Sequence, residues 1–199
     1  MPRLDLKRDK FKWLEAALAK IFSVIPLKPN HYTALSIIVA AAGVYLMIVG
    51  SYWAALVSFF LAGLLDLVDG AIARAKGMAT AKGAHLDNLA DRYVEGAFLF
   101  SLLFVPLPGY YLPAAAWIFL AIFGGTMTTY AKASAKEKGL SETDLKGGVM
   151  SRAERFLACL MILAFVGSGN GIWASYLLAA LAVLVNITAL QRIFASLRL

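Results

Sequence analysis

The chain has 199 residues, of which 61% are hydrophobic and 16% charged, and its formal net charge is +7. This composition excludes an ordinary water-soluble domain and is typical of a membrane protein. The single cysteine, Cys159, excludes an intrachain disulfide framework and a thiolate metal site. Because the basic residues flank long apolar stretches, we expect the lipid bilayer and phosphorylated molecules as partners, and no nucleic acid.

Residues 1–28 are predicted to form a cytoplasmic, interfacial segment that precedes the membrane domain. Within 5–25, apolar side chains recur at helical spacing, at Phe11, Leu14, Leu18, Ile21, Phe22 and Ile25. Most charged side chains lie elsewhere around such a helix, so we expect an amphipathic helix on the membrane surface. The alternative is a helix whose apolar face packs on a soluble partner. Pro26 and Pro29 would end the helix before the chain enters the membrane.

Three long stretches contain no Asp, Glu, Lys or Arg, namely 29–65, 96–131 and 156–191. One spanning helix needs about 20 apolar residues, so each stretch holds most of two spans joined by an uncharged turn. Spans must be helical because backbone groups cannot remain unpaired in lipid. We therefore predict an all-α integral membrane protein whose residues 29–199 form a six-helix transmembrane domain. The predicted spans are approximately 31–49, 52–73, 84–104, 112–137, 150–166 and 172–195.

The distribution of basic residues predicts the orientation of these spans. All 19 Lys and Arg residues lie in the terminal segments, in the connections between spans 2 and 3 and between spans 4 and 5, or at the adjoining helix ends. By the positive-inside rule, both termini should lie in the cytoplasm. We expect a multi-pass protein of the plasma membrane.

Four aspartates lie where span 2 ends and span 3 begins. Asp66 and Asp69 are three residues apart and Asp87 and Asp91 are four apart, so each pair shares one helix face. The connection is short, so the two helices should be antiparallel neighbours whose carboxylates converge near the cytoplasmic end. Crowded carboxylates repel unless cations neutralise them, and an all-oxygen ligand set favours Mg²⁺ or Mn²⁺. Two metal ions about 4 Å apart are a recurrent arrangement for phosphoryl displacement.

The same segments carry further residues suited to a phosphorylated nucleotide. Gly70 and Gly83 have no side chain, so a nucleotide or a neighbouring helix can approach the backbone closely. Arg74 lies one turn beyond Gly70 and can offer a planar fork to phosphate oxygens.

The chain resembles the CDP-alcohol phosphotransferase family, because it matches every fixed position and gap of that family's signature. The six-span architecture extends the resemblance over nearly the whole chain. The matching pattern is Asp66-x2-Asp69-Gly70-x2-Ala73-Arg74-x8-Gly83-x3-Asp87-x3-Asp91. The resemblance implies that an alcohol hydroxyl attacks the phosphorus remote from the cytidine of a CDP-linked donor, which releases CMP. It further implies that the four aspartates hold two metal ions, that Asp91 also takes the hydroxyl proton, and that the CDP group lies against Gly70, Ala73, Arg74 and Gly83.

A second element at the start of span 1, Pro29-Asn30-x2-Thr33, is similar to one common in that family. It adds Asn30 and Thr33 to the residues expected to bind CDP. For Asn30 the alternative is a helix N-cap.

Three cations, Lys132, Arg152 and Arg192, lie at the cytoplasmic ends of three spans, where they could meet one phosphate. In this respect the chain resembles the branch of phosphatidylinositol-phosphate and archaetidylinositol-phosphate synthases. Further similarities to that branch are Tyr130-Ala-Lys132, Ser151-Arg152-Ala-Glu-Arg155 and Asp91-Arg92-Tyr93. The resemblance implies that inositol 1-phosphate is the acceptor, that a CDP-linked lipid is the donor, and that the three cations bind the acceptor's phosphate.

Other interpretations stay open at this point. Within the same chemistry, glycerol phosphate could be the acceptor, or CDP-inositol the donor as in di-inositol-phosphate-phosphate synthases. A divalent-cation transporter is a more distant alternative. Transport would need acidic groups along a path across the membrane, whereas the opposite side of the bilayer would be free of charge. We interpret His85 as a polar residue at the membrane boundary and Glu95 as a residue that pairs within the bundle. A homodimer is expected from the family resemblance.

Overall fold

The computed structural model describes Lys20, Phe22 and residues 28–140 and 148–197. Within this part of the chain the structure is all-helical, apart from turns and an isolated bridge between Tyr110 and Leu112. A 3₁₀ turn, Leu102–Phe104, follows the third helix. From Pro29 onward the described residues form six α-helices, namely α1 (Pro29–Ile48), α2 (Tyr52–Ala75), α3 (Ala81–Ser101), α4 (Ala114–Glu137), α5 (Arg152–Gly167) and α6 (Gly171–Ser196).

Each predicted span coincides with one of these helices to within about three residues at either end, as the apolar-length argument requires. Four of the helices, α1, α2, α4 and α6, are long and apolar enough to cross a membrane. Helix α5 has 16 residues, and α3 carries charged side chains along its first four turns. The chain is therefore a helical membrane protein, while membrane crossing by α3 and α5 stays a prediction.

Most of the predicted N-terminal amphipathic helix lies outside the described residues. The proposed division between 1–28 and 29–199 therefore stays a prediction. Phe22 of this predicted helix is described. Its backbone carbonyl accepts a hydrogen bond from the hydroxyl of Tyr32 at 3.3 Å, and its ring meets the ring of Tyr32 edge-on.

The chain divides into two compact units. The first comprises Met1–Ala42 and Val57–Val94. In it, α1 and α2 share a small apolar core, and the hydroxyl of Ser58 donates to the carbonyl of Val39 at 2.7 Å. The buried core residues are Tyr32, Val68, Ala71 and Ile72, and Phe22, Leu64 and Leu65 pack against them. This core lies beside the segment that carries Asp66 and Asp69.

The second unit comprises Gly43–Leu56 and Glu95–Leu199. Here α6 packs along both α4 and α5. The α4–α6 contact is close at Gly124, where an added Cβ would lie 2.7 Å from Cγ1 of Val185 and 2.7 Å from Nδ2 of Asn186. The half-buried amide of Asn186 donates to the carbonyls of Leu120 and Ala182, each at 2.8 Å, so its N–H groups have partners.

Gly124→Ala is expected to lower the thermal unfolding midpoint of the purified protein, because the new methyl group would force α4 and α6 apart. Overpacking of this kind costs about 1–3 kcal/mol. Gly96→Ala in α3 is the matched control, since no heavy atom lies within 4 Å of the position its Cβ would take. The thermal unfolding midpoint of this control should be equal to or higher than that of the unmodified protein, since alanine is favoured over glycine in helices by about 0.5–1 kcal/mol. Equal losses in both variants would contradict the close α4–α6 packing.

Candidate active site

The turn between α2 and α3 fixes how the two aspartate-bearing helix ends face each other. Helix α2 ends at Ala75, and Gly77 in the turn that follows has a φ of 63°, in the left-handed region that favours glycine. The N–H of Met78 donates back to the carbonyl of Ala73 at 2.8 Å, which closes the turn. Thr80 then caps α3, because its hydroxyl accepts the N–H of Gly83 at 3.0 Å. The chain therefore reverses between Arg74 and Gly83.

Three of the four predicted metal ligands come together across this turn. Asp66, Asp69 and Asp87 each contribute one carboxylate oxygen, and these oxygens all lie within 4.8 Å of one another. Asp69 is buried, with 4% of its surface exposed, while the other two are half-buried. The predicted convergence of the carboxylates is therefore observed for these three residues.

The geometry of this group fits a hard divalent cation. Oxygens bound to one Mg²⁺ at about 2.1 Å lie within about 4.2 Å of one another, so small side-chain movements suffice for the three carboxylates to close on an ion. Unit charges up to 4.8 Å apart repel by at least about 3 kcal/mol at an effective dielectric constant near 20. A bound cation removes this cost, so the donor set is suited to a divalent metal.

Asp91, the fourth predicted ligand, lies one turn beyond Asp87 on α3. Its side chain is buried, with 7% of its surface exposed. It is not one of the three residues that meet within 4.8 Å. Its predicted roles as a ligand and as a proton acceptor stay predictions.

Thr33 has a contact that the sequence did not indicate. Its hydroxyl donates to Oδ2 of Asp69 at 2.5 Å, and both side chains are buried. The same hydroxyl lies 3.4 Å from the carbonyl of Pro29, one helical turn earlier. Thr33 therefore orients a candidate metal ligand, while its predicted contact with CDP stays untested. No local spacing could have shown this pair, because 36 residues separate Thr33 from Asp69.

Gly70 and Arg74 form one continuous surface on α2. A Cβ added at Gly70 would lie 3.2 Å from Nη1 of Arg74, so the guanidinium group covers the place where a side chain would stand. Arg74 is exposed and Ala73 is half-buried. A phosphate bound by the guanidinium group would therefore lie next to the backbone of Gly70.

Asn30 lies close to Gly83, across the interval between the start of α1 and the start of α3. Its Oδ1 lies 3.7 Å from the position that a Cβ of Gly83 would take. Because α1 begins at Pro29, Asn30 is inside the first turn, and the alternative of a helix N-cap is wrong. Proline at the first helical position suits this start, since its missing N–H would have no partner there. The structure thus brings together two of the residues predicted to bind CDP.

The three predicted phosphate-binding cations belong to the second unit. Lys132 and Arg192 are half-buried, and Arg152 is exposed. Nη1 of Arg192 donates to the carbonyl of Thr128 at 2.9 Å, and Thr128 lies one turn before Lys132 on α4. The contact therefore fastens Arg192 beside the helix segment that carries Lys132.

The segment before Arg152 is fastened to α6 in the same way. The N–H of Val149 donates to Oε1 of Gln191 at 3.0 Å, and the N–H of Met150 donates to the hydroxyl of Thr188 at 3.1 Å. Ser151 and Glu154 then form a capping box at the start of α5. The loop and the helix start that present Arg152 are therefore held on the part of α6 that carries Arg192.

Glu95 pairs within the helix bundle, as the sequence predicted. Its partner is Arg155 of α5, whose Nε lies 2.7 Å from Oε1. The sequence did not identify this partner, and the only available signal was an isolated carboxylate next to a long uncharged stretch. His85 is exposed on α3, and its position at the membrane boundary stays a prediction.

Comparison with known proteins identifies close relatives. A family model described as CDP-alcohol phosphatidyltransferase matches residues 27–188. The archaetidylinositol phosphate synthase of Aeropyrum pernix is 36% identical over 177 residues, which cover 88% of this chain and 86% of that protein. A bifunctional IPC transferase and DIPP synthase of Aquifex aeolicus is 30% identical over 174 residues, or 83% of this chain and 38% of that protein.

Solved structures of the phosphatidylinositol phosphate synthase of Mycobacterium tuberculosis have the same fold. The structure with CDP-DAG bound has a TM-score of 0.76, 27% sequence identity and 92% coverage of both chains. The structure in complex with manganese and citrate has a TM-score of 0.78 and 27% identity, and covers 92% of this chain and 88% of that one.

Thr33→Val is expected to weaken Mn²⁺ binding by about tenfold, as removal of an outer-shell partner does elsewhere, because Asp69 would lose the donor that orients it. Binding can be measured from the electron paramagnetic resonance signal of free Mn²⁺. Thr33→Ser keeps the hydroxyl and should retain most of the affinity. Equal affinity of the valine variant and the unmodified protein would contradict a role for Thr33 at the metal site.

Proposed function

The chain belongs to the CDP-alcohol phosphatidyltransferase family, and we propose that it transfers a lipid phosphate from a CDP-linked lipid to a hydroxyl of inositol 1-phosphate, with release of CMP. Membership makes the chain a transferase of substituted phosphate groups. The observation that carries the proposal is the convergence of three carboxylates within 4.8 Å at the α2–α3 turn. Inositol phosphate is supported by the names of the relatives, which are archaetidylinositol and phosphatidylinositol phosphate synthases.

Asp66, Asp69, Asp87 and Asp91 would hold two divalent cations, Mg²⁺ or Mn²⁺. The manganese in one structure of the Mycobacterium tuberculosis relative supports such a cation. Bound cations would neutralise the carboxylates together with the diphosphate of the donor, and would stabilise charge that develops on phosphate oxygens during transfer. Thr33 keeps Asp69 turned toward the other carboxylates through its hydrogen bond.

The reaction breaks the phosphoanhydride bond of the CDP-linked donor and forms a new phosphate ester bond. The acceptor's hydroxyl oxygen forms a bond to the phosphorus that carries the lipid, while the bond from that phosphorus to the CMP oxygen breaks. CMP leaves with the electron pair of that bond, and Asp91 takes the proton of the attacking hydroxyl. The buried position of Asp91, with 7% of its surface exposed, suits a base that works away from bulk water.

The substrates are bound by different residues in this proposal. The CDP group lies against Gly70, Ala73, Arg74 and Gly83, with Asn30 and Thr33 nearby, and the CDP-DAG in one structure of the relative supports a CDP-lipid donor. The phosphate of the acceptor is bound by Lys132, Arg152 and Arg192. The hydrogen bonds that fasten Arg192 and the segment before Arg152 to their surroundings support such a role.

A lipid-linked donor keeps its tails in the bilayer, so the enzyme must work at a membrane surface. The distribution of basic residues favours a multi-pass protein of the plasma membrane with both termini and the active site in the cytoplasm. We also expect a homodimer, as the family resemblance implies.

Two other pairs of substrates fit the same chemistry. Glycerol phosphate would use the same three cations, since they recognise the phosphate rather than the polyol. CDP-inositol as donor is supported by the similarity to the bifunctional IPC transferase and DIPP synthase, although this chain covers 38% of that protein. A divalent-cation transporter would show ion flux without nucleotide chemistry.

The proposal predicts Mg²⁺-dependent CMP release from a CDP-linked lipid only when inositol 1-phosphate is present. Asp91→Asn should lower this release at least about 100-fold, which is the typical contribution of a general base. Substitution of glycerol phosphate for inositol 1-phosphate tests the acceptor. Undiminished CMP release by the asparagine variant would contradict the assignment of Asp91, and equal rates with both acceptors would contradict the preference for inositol.

Gly70→Ala separates substrate binding from stability. A methyl group there needs only the end of the Arg74 side chain to shift, because Nη1 is the nearest atom at 3.2 Å. Stability should stay or rise by up to about 1 kcal/mol, since alanine is a better helix former. The KM for the CDP-linked donor should nevertheless rise at least about tenfold, since a lost close contact costs about 1.4 kcal/mol or more. An unchanged KM would show that CDP does not approach this part of α2.

A further inference from the structure

Glu95 and Arg155 form a buried ion pair that the proposed reaction does not use. Nε of Arg155 donates to Oε1 of Glu95 at 2.7 Å, and Nη2 donates to Oε2 at 3.3 Å. The two side chains are 5% and 18% exposed, with Arg155 the less exposed. Each carboxylate oxygen therefore has its own guanidinium N–H, so the pair is directional as well as charged.

The pair lies in the second unit, where the part of α3 from Glu95 onward meets α4 and α5. Glu95 belongs to α3 and Arg155 to α5, while Gly125 of α4 faces the carboxylate. A Cβ added at Gly125 would lie 3.3 Å from Oε1 of Glu95. The absence of a side chain at Gly125 thus leaves room for the carboxylate against α4.

Stability alone is a poor reason for such a pair. Removal of two charges from water costs several kcal/mol each, and well-packed apolar residues of similar volume are often as stabilising as a buried ion pair. The ion pair instead fixes the orientation of the two helices. A guanidinium group with two hydrogen bonds to one carboxylate allows one arrangement of the helices, whereas an apolar contact allows many.

Two of the three proposed phosphate-binding cations lie one and two helical turns from this group along α5 and α4. Arg152 precedes Arg155 by three residues, so it stands one turn earlier on a neighbouring face of α5. Lys132 follows Gly125 by seven residues, or two turns, so it stands on the same face of α4. The orientation of α5 and α4 about their axes decides where Arg152 and Lys132 point.

We propose that Glu95 and Arg155 are positioning residues for the binding of the acceptor's phosphate. They fix the rotation of α5 and α4 about their axes, and with it the directions in which Arg152 and Lys132 point. This inference rests on the proposed function for the role of Lys132 and Arg152. Neither Glu95 nor Arg155 contacts substrate in this account, so the effect reaches the reaction through Arg152 and Lys132.

The test compares variants of the full-length enzyme in lipid nanodiscs. Arg155→Lys keeps a charge without the fork, and Glu95→Gln keeps the shape without the charge. Both should raise the KM for inositol 1-phosphate about tenfold, as small displacements of a binding group do, while the KM for the CDP-linked donor changes less than about twofold. Equal increases in both KM values would overturn the inference, because they would indicate general loosening of the bundle.

The double variant Glu95→Leu/Arg155→Met separates positioning from stability. An apolar pair should restore the melting temperature, but the KM for inositol 1-phosphate should stay raised because the direction imposed by the fork is lost. Recovery of both quantities together would overturn the inference. Cys159→Ala is the matched control, since Cys159 is buried one turn beyond Arg155 on α5. It should lower stability and leave the acceptor KM unchanged.

A titration with inorganic phosphate tests the positioning role by binding alone, without catalytic turnover. Phosphate should raise the melting temperature of the unmodified enzyme, and the phosphate concentration at half effect should shift about tenfold in Arg155→Lys. No shift would overturn the positioning role, whatever the activity. Absence of CMP release by the unmodified enzyme with every phosphorylated acceptor would instead refute the proposed function, so the two failures are distinguishable.

Discussion

Carboxylates that are held together at the ends of two helices are the constraint on which the candidate site of this mostly apolar protein depends. Like charges at this spacing repel, and the surrounding apolar helices offer little solvent to screen them. The covalent chain opposes their separation, because the left-handed turn at Gly77 and the threonine cap at Thr80 fix the reversal between α2 and α3. The buried hydroxyl of Thr33 adds a donor for Asp69. A divalent cation is the remaining partner that such a group requires.

Several polar side chains in the apolar helices have specific hydrogen-bond partners. In the first unit this is the Thr33–Asp69 hydrogen bond. In the second unit Arg192 donates to a carbonyl of α4, and the segment before α5 is bonded to α6 through Thr188 and Gln191. Arrangements of this kind limit the conformations of a site whose substrates are multiply charged. They are more useful for geometry than for net stability, since buried polar contacts gain little over well-packed apolar ones.

The sequence predicted the helices well because long apolar stretches and helix-ending glycines are local signals. The convergence of Asp66, Asp69 and Asp87 also followed from local spacing and a short connection. What it could not predict were contacts between distant segments, such as Thr33 with Asp69 or Arg155 with Glu95, since nothing in the spacing of one segment identifies its partner. The N-cap role considered for Asn30 was wrong because α1 starts at Pro29. Charged residues in α3 weaken the apolar signal that would identify it as a span.

The most direct test of the central claim is a crystal structure of the enzyme soaked with Mn²⁺ and measured at a wavelength where manganese scatters anomalously. The account predicts an anomalous peak among the carboxylates of Asp66, Asp69 and Asp87, with oxygen distances of about 2.1–2.3 Å, and loss of that peak in Asp69→Asn. Carboxylates that point apart, with manganese bound elsewhere or not at all, would contradict it.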